Sequence, residues 1–275
     1  MPELPEVENV RKSLLRLVRG KTIQKVESGW PKIIKRPLEV EQFYDALEGQ
    51  TIQDLQRKGK FLIFMLDHYS LVSHLRMEGH YSVNQSGEQA DKHTHVIFKF
   101  SDGTEMRYRD VRKFGTMHLF KKGEEEKELP LSKLGPEPFS QDCSLGYLKS
   151  EFQKTERIIK AVLLDQSIVA GLGNIYADEV LYKSKIHPER KANTLTDKEI
   201  QKLSQEMVQT LEESISAGGS SVNTYMDSMG LSGTYQERLK VYGRNGKSCL
   251  DCGTILEKTK TAGRGTHFCP TCQKN

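Results

Sequence analysis

The chain has 275 residues, room for two domains at roughly 100 to 200 residues each. Hydrophobic residues make up 36% and charged residues 28% of it, and apolar runs such as Phe61 to Leu66 fall far short of the ~20 residues that a membrane span needs. The start, Met1-Pro2-Glu3-Leu4-Pro5-Glu6, is acidic and proline-rich rather than basic and then apolar, so secreted, membrane-spanning, collagenous and wholly disordered classes are set aside and a soluble cytosolic protein is expected.

Pro2 and Pro5 restrict the first residues. Val7, Val10, Leu14, Leu15 and Val18 then recur at helical spacing, with Gly20 as the stop. Strand-like runs follow at Thr22–Ser28, Phe61–Leu66, Ser70–Leu75, Val96–Ser101, Thr104–Tyr108 and Thr116–Phe120. Asp102-Gly103 is a hairpin signal, and the set as a whole predicts a β-sandwich. Residues 121–128 are highly charged and lead into Pro130, Pro136 and Pro138, which reads as a linker. Helical patterns come next, near Lys154–Leu164 and Ile175–Ser184, with Gly171-Leu172-Gly173-Asn174 between them. Thr196-Asp197-Lys198-Glu199 is a capping box. It opens a helix with Ile200, Leu203, Met207, Leu211 and Ile215 on one face and Gly218-Gly219 at its end. From Gly218 to Gly233 the chain reads as a loop.

Net charge is +4 overall, but residues 236–275 hold eight Lys/Arg against three Asp/Glu. A basic C-terminal module suits a polyanion partner. The same segment carries Cys249-x2-Cys252 and Cys269-x2-Cys272, the spacing of a two-knuckle zinc site. Four thiolates close the metal's coordination shell, so the expectation is one structural Zn2+ that folds the module and does no catalysis. Cys143 is left over as a free thiol. His93 and His95 would share a face if both lay on a strand, which leaves a metal pair there as a minor alternative.

Several segments together resemble one family: Pro2-Glu3-Leu4-Pro5-Glu6-Val7-Glu8, Arg57-Lys58-Gly59-Lys60-Phe61-Leu62, His74-Leu75-Arg76-Met77-Glu78-Gly79, Arg109-Asp110-Val111-Arg112-Lys113-Phe114-Gly115, Gly171-Leu172-Gly173-Asn174-Ile175-Tyr176 and Gly263-Arg264-Gly265-Thr266-His267. Their ordered combination over the whole chain is similar to the bacterial formamidopyrimidine-DNA glycosylases, which repair 8-oxoguanine. The resemblance implies an α+β enzyme. Its N-terminal catalytic β-sandwich, flanked by helices, would cover 1–131. A helix–two-turns–helix DNA-binding domain would cover 132–235 and a zinc-finger hairpin 236–275. Damaged double-stranded DNA would lie in a basic cleft, and the protein would act as a monomer in the bacterial cytoplasm.

The resemblance also assigns roles. Pro2, once Met1 is removed, would be the nucleophile. Glu3 would be the acid/base group, with Glu6 in support. Lys60 would donate a proton and touch phosphate near the lesion, and Arg264 would bind phosphate and help the later elimination. Met77, Arg112 and Phe114 would fill the gap left by a flipped base, apolar side chains stacking where it stood. His74, Asn174, Tyr242 and Lys258 match phosphate-contacting positions, and His93 and Arg112 match other DNA contacts. Ser220, Thr224 and Tyr225 match a lesion-recognition loop, in which many relatives carry arginine where this chain has Asn223. Two other readings compete: an endonuclease VIII-like glycosylase for oxidised pyrimidines, and a non-catalytic zinc-ribbon DNA-binding module.

Overall fold

The computed structural model describes residues 1–221 and 228–274. They divide into two compact units: 1–132 together with 218–233, and 133–217 together with 234–274.

The first unit opens with α1 (Leu4–Val18), whose Val7, Val10, Leu14 and Val18 are all buried, as their spacing predicts. Nine strands follow: β1 (Ile23–Ser28), β2 (Ile34–Arg36), β3 (Asp54–Lys58), β4 (Phe61–Met65), β5 (Tyr69–His74), β6 (His80–Gln85), β7 (Thr94–Phe100), β8 (Thr104–Arg109) and β9 (Thr116–Lys121), with α2 (Val40–Leu47) between β2 and β3. They form a four-stranded sheet in the order β1-β7-β8-β6 and a five-stranded sheet in the order β2-β9-β5-β4-β3. Leu62, Phe64 and Met117 from one sheet share a core with Tyr81, Val96, Phe98 and Tyr108 from the other and with α1. The sandwich expected from the sequence is therefore present, each foreseen strand within a residue or two of its observed ends.

In this unit three strands and one helix are not predicted by the sequence pattern, and the strands lie at sheet edges. β2 and β3 border the five-stranded sheet and β6 the four-stranded one. Edge strands carry charge against further pairing, so Asp54-Leu55-Gln56-Arg57-Lys58 buries only Leu55 fully and shows little apolar alternation.

The second unit contains α3 (Leu145–Gln153), α4 (Ile159–Leu163), α5 (Asn174–Lys183) and α6 (Asp197–Ser216), then the antiparallel pair β10 (Glu257–Thr261) and β11 (Arg264–Phe268). The capping box on α6 forms as expected. The helix expected near Lys154–Leu164 forms only over its second half, as α4, while α3, which the sequence pattern does not predict, precedes that span and is capped by the Ser144 side chain, which accepts from the Tyr147 N–H. Between them, Ile158 is extended and bridges to Lys191, and the Ile159 N–H donates to the Arg190 carbonyl. Tertiary pairing of this backbone outweighs its helical pattern. No helix among the described residues is long and apolar enough to cross a membrane.

Candidate active site and metal centre

Pro2, Glu3 and Glu6 are all buried at the head of α1. Glu3 is the N-cap, and it forms a reciprocal capping box with Glu6. Oε2 of Glu6 accepts the Glu3 N–H at 2.8 Å, and its Oε1 accepts the Ser220 N–H at 2.8 Å. Gly219 lies so close that a Cβ there would come within 3.1 Å of the Glu6 carboxylate, and its φ of +86° also favours glycine. One turn further along α1 from Val10, Ser13 Oγ accepts the Ser228 N–H at 3.2 Å. The helix that presents Pro2 thus also holds the chain on both sides of 222–227. Thr224 and Tyr225 fall outside the described residues, as does Asn223.

Lys60 sits in the two-residue turn between β3 and β4, where Lys58 pairs with Phe61 and Gly59 takes a φ of +57°. It is only 5% exposed, which is unusual for a lysine. Arg57 anchors the turn: its Nη1 donates to the Gly59 carbonyl at 2.9 Å and its Nε to Glu8 of α1 at 3.0 Å. Burial pushes the Glu8 carboxyl upward, but the opposing hydrogen bonds and charges of Arg11 and Arg57 outweigh it and hold the group below its ordinary value. His74 closes β5, with its ring edge-on to Phe61 at 4.5 Å. Burial, followed by the charges of Arg76 and Lys60, pushes its pKa down to about 3. Its Nδ1 lies 2.9 Å from the Arg76 N–H and accepts from it. That leaves the proton on Nε2, so His74 is a neutral donor.

Met77 and Phe114 are 38% and 51% exposed, so neither is core packing. Phe114 belongs to a loop organised by Asp110, which is fully buried. Asp110 Oδ1 accepts the Arg112 N–H, and its Oδ2 accepts those of Phe114 and Gly115, at 2.8 to 3.0 Å. Its own N–H donates to the His93 carbonyl at 3.0 Å, and its carbonyl lies 2.8 Å from His95 Nε2. His95 is therefore a buried strut of this loop. The Arg112 guanidinium stacks 4.8 Å from the Phe114 ring, and Lys113 Nζ lies 4.1 Å from the ring of Trp30. The basic stretch expected around Phe114 is partly neutralised: Arg107 pairs with Glu105 in the interior, and Arg109 pairs with Asp91.

In the second unit, Arg264 follows a two-residue turn in which Ala262 and Gly263 both take positive φ, +52° and +72°. That is the hairpin geometry in which glycine is favoured. The hairpin is clamped from behind by Lys160, a side chain with no exposure. Its Nζ donates to Asp178 Oδ1 at 2.6 Å, to Thr266 Oγ1 at 2.7 Å and to the Gly265 carbonyl at 3.1 Å. Asp178 Oδ2 accepts the His267 N–H, and Asn174, the first residue of α5, donates through Nδ2 to the Gly265 carbonyl at 2.9 Å. Tyr242 packs edge-on to His267 at 4.8 Å. The buried Glu179 accepts the N–H groups of Lys240, Val241 and Tyr242 and so fixes that approach. Lys258 lies opposite His267 in the hairpin. The sequence pattern does not mark Lys160, Asp178, Glu179 or Asp110; their near-complete burial and multiple partners do.

The four sulfurs of Cys249, Cys252, Cys269 and Cys272 lie within 4.8 Å of one another, with 3.9 Å from Cys249 to Cys272 and 3.5 Å from Cys252 to Cys269. Zinc–sulfur bonds of about 2.3 Å at tetrahedral corners require edges of about 3.8 Å, so the donor set fits the ion. Tyr182, Val241 and Leu256 pack around it.

The chain matches family profiles for the formamidopyrimidine-DNA glycosylase N-terminal domain over residues 1–117, for the H2TH domain of the same enzymes over 134–226, and for a zinc finger found in these enzymes and isoleucyl-tRNA synthetase over 246–275. It is 58% identical over 273 residues to the formamidopyrimidine-DNA glycosylase of Bacillus subtilis (strain 168), covering 99% of each chain.

The chain belongs to the formamidopyrimidine-DNA glycosylase family.

The Bacillus licheniformis member is also 58% identical, over 274 residues and the full length of both chains. Among solved structures, the Lactococcus lactis Fpg in complex with abasic-site DNA superposes with a TM-score of 0.93 at 42% identity, covering 99% of this chain and 100% of the other. Wild-type Lactococcus lactis Fpg on DNA containing N7-benzyl-Fapy-dG gives 0.93 at 41%, covering 100% of both. Within the formamidopyrimidine-DNA glycosylase frame, the four clustered cysteines hold one structural zinc ion.

Proposed function

We propose that this chain is a bifunctional DNA glycosylase and AP lyase of base excision repair. Its substrate would be damaged double-stranded DNA carrying oxidised purines, 8-oxoguanine and formamidopyrimidines. The observation that carries this reading is the head of α1, where Pro2 and Glu3 are buried beside a carboxylate cap. Family membership and the relatives solved on abasic-site and formamidopyrimidine DNA support it.

Removal of Met1 leaves Pro2 as a secondary amine with a pKa near the α-amino value of about 8, so part of it is neutral at pH 7. The neutral nitrogen attacks C1′ of the flipped nucleotide. A new C–N bond forms, the glycosidic bond breaks, and the base leaves with the bonding pair and takes up the proton that the Pro2 nitrogen sheds. Glu3 delivers a proton to the ring oxygen as the sugar opens, which leaves an iminium joining Pro2 to C1′. The iminium withdraws electrons and acidifies C2′. Loss of that proton expels the 3′ phosphate, and a second elimination expels the 5′ phosphate. Water then adds to the conjugated iminium and hydrolyses it, which frees Pro2.

Lys60, His74, Asn174, Tyr242, Lys258 and Arg264 would hold phosphates around this centre, the neutral His74 as a donor. Met77, Arg112 and Phe114 would occupy the gap in the duplex, with His93 alongside, and Ser220, Thr224 and Tyr225 would face the damaged base. The protein would act in the cytoplasm as a monomer with domains 1–131, 132–235 and 236–275.

The test is incision of an 8-oxoguanine:cytosine duplex with and without borohydride. Excision, strand cleavage and a reduced covalent adduct on Pro2 are expected. An active protein that gives no trapped adduct at Pro2 overturns the mechanism.

A further inference from the structure

We propose that Tyr108 is a positioning residue that holds the Met77 and Phe114 loops in fixed register, its hydroxyl wedged between Gly79 and Gly115. The inference rests on the proposed function, in which those two side chains enter the duplex.

Tyr108 lies on β8 and has no exposure. A Cβ built on Gly79 would stand 2.2 Å from its hydroxyl oxygen, and one built on Gly115 would stand 1.8 Å away. Both are far inside contact distance, so the hydroxyl touches both backbones. Neither glycine has positive φ. Space for Tyr108, and at Gly79 also for the Leu75 backbone, is what those positions demand, not conformational freedom.

Each glycine closes one of the two loops. The Gly79 N–H donates to the Leu75 carbonyl at 2.9 Å and completes the turn that carries Met77. The Gly115 N–H donates to Asp110 Oδ2 at 2.8 Å and completes the loop that carries Phe114. The two loops are far apart in sequence and meet at one atom.

That atom is held from below. The Tyr108 ring packs edge-on to Tyr81 at 4.9 Å, Tyr81 packs on Phe64 at 5.4 Å, and the Tyr81 hydroxyl donates to Ser73 Oγ at 2.7 Å. The column joins the two sheets, because Phe64 and Ser73 belong to one and Tyr81 and Tyr108 to the other. The Tyr108 hydroxyl has no hydrogen-bond partner among the described residues. Steric contact with the glycines therefore fixes its place, and phenylalanine at 108 would fit the core without serving as the spacer.

The experiment compares wild type with Tyr108→Phe in three measurements: melting temperature, single-turnover excision of 8-oxoguanine opposite cytosine, and cleavage of a preformed abasic site, which needs no base to be unstacked. The expected result is an unchanged or higher melting temperature, a loss of about tenfold in excision as the wedge geometry loosens, and abasic-site cleavage close to wild type. Wild-type excision with an equally fast Tyr108→Phe protein overturns the role of Tyr108. So does a variant that loses both activities alike along with melting temperature, since that marks ordinary core packing. A wild-type protein that excises no oxidised purine overturns the functional reading instead.

Discussion

Glu6 joins Glu3 to Ser220: one carboxylate oxygen accepts the N–H beside Pro2, and the other accepts an N–H 214 residues away in sequence. The cap of α1 and the stem of the segment around 222–227 therefore share a single buried anion. Replacing Glu6 with alanine leaves two buried donors unpaired, each worth about 1 to 3 kcal/mol. Glu6→Ala should lower the urea midpoint and slow 8-oxoguanine excision more than it slows cleavage of a preformed abasic site. Equal rates on both substrates would show that the bridge serves stability alone.

Glu3→Gln keeps the size of the side chain and removes the carboxylic proton. Base excision should be abolished, while affinity for a duplex containing a stable abasic analogue stays within a few fold. Normal turnover of 8-oxoguanine by this variant would reject Glu3 as the acid.

The Lys160–Asp178 pair is fully buried on both sides. Removing one partner strands a charge, at a cost of about 3 to 5 kcal/mol. Lys160→Met should be strongly destabilised in chemical denaturation, and the Lys160→Met/Asp178→Leu double variant should recover part of the loss. Strict additivity of the two single effects would argue against a coupled pair.

His74 makes stability depend on pH. Its folded-state pKa, about 3, lies below its ordinary value of 6.5 because burial, Arg76 and Lys60 disfavour the charged form. The unfolded chain then binds more protons, so this contribution is complete above pH 6.5 and is lost as pH falls toward 3. His118, lowered to about 4 by burial and then by Lys35 and Arg36, acts with the same sign. Urea midpoints should fall between pH 7 and pH 5, and His74→Gln should flatten that slope by at most about 1.4 kcal/mol per pH unit. A slope unchanged by the substitution would contradict the assignment.

Chelation of zinc should unfold the Cys249–Cys272 segment, since metal-binding energy in such modules is folding energy. Circular dichroism should register the loss and zinc should restore it. In the proposed function Arg264 loses its platform, so affinity for lesion DNA should fall in parallel. Undiminished affinity after verified metal loss would separate the ion from DNA binding.

Much of this was legible in the residues themselves. The buried face of α1 follows from its spacing, the cap of α6 from Thr196 and Glu199, and the metal centre from four cysteines. What stayed hidden depends on tertiary partners. Lys160 looks like a surface lysine until Asp178 and Thr266 enclose it. Asp110 looks like one more charge in a basic run until three backbone donors converge on its carboxylate. β3 and β6 escape notice because a strand at a sheet edge buries one face and must keep polar side chains on the rest.

The chain contains one tryptophan, and the ammonium of Lys113 sits over its ring, next to Phe114. Trp30 is thus an intrinsic fluorophore wired to the loop that would meet DNA in the proposed function, with no competing indole elsewhere. Movement of Lys113 away from the ring would alter the emission directly, so stopped-flow fluorescence of the unlabelled protein can time the insertion step before any bond is broken.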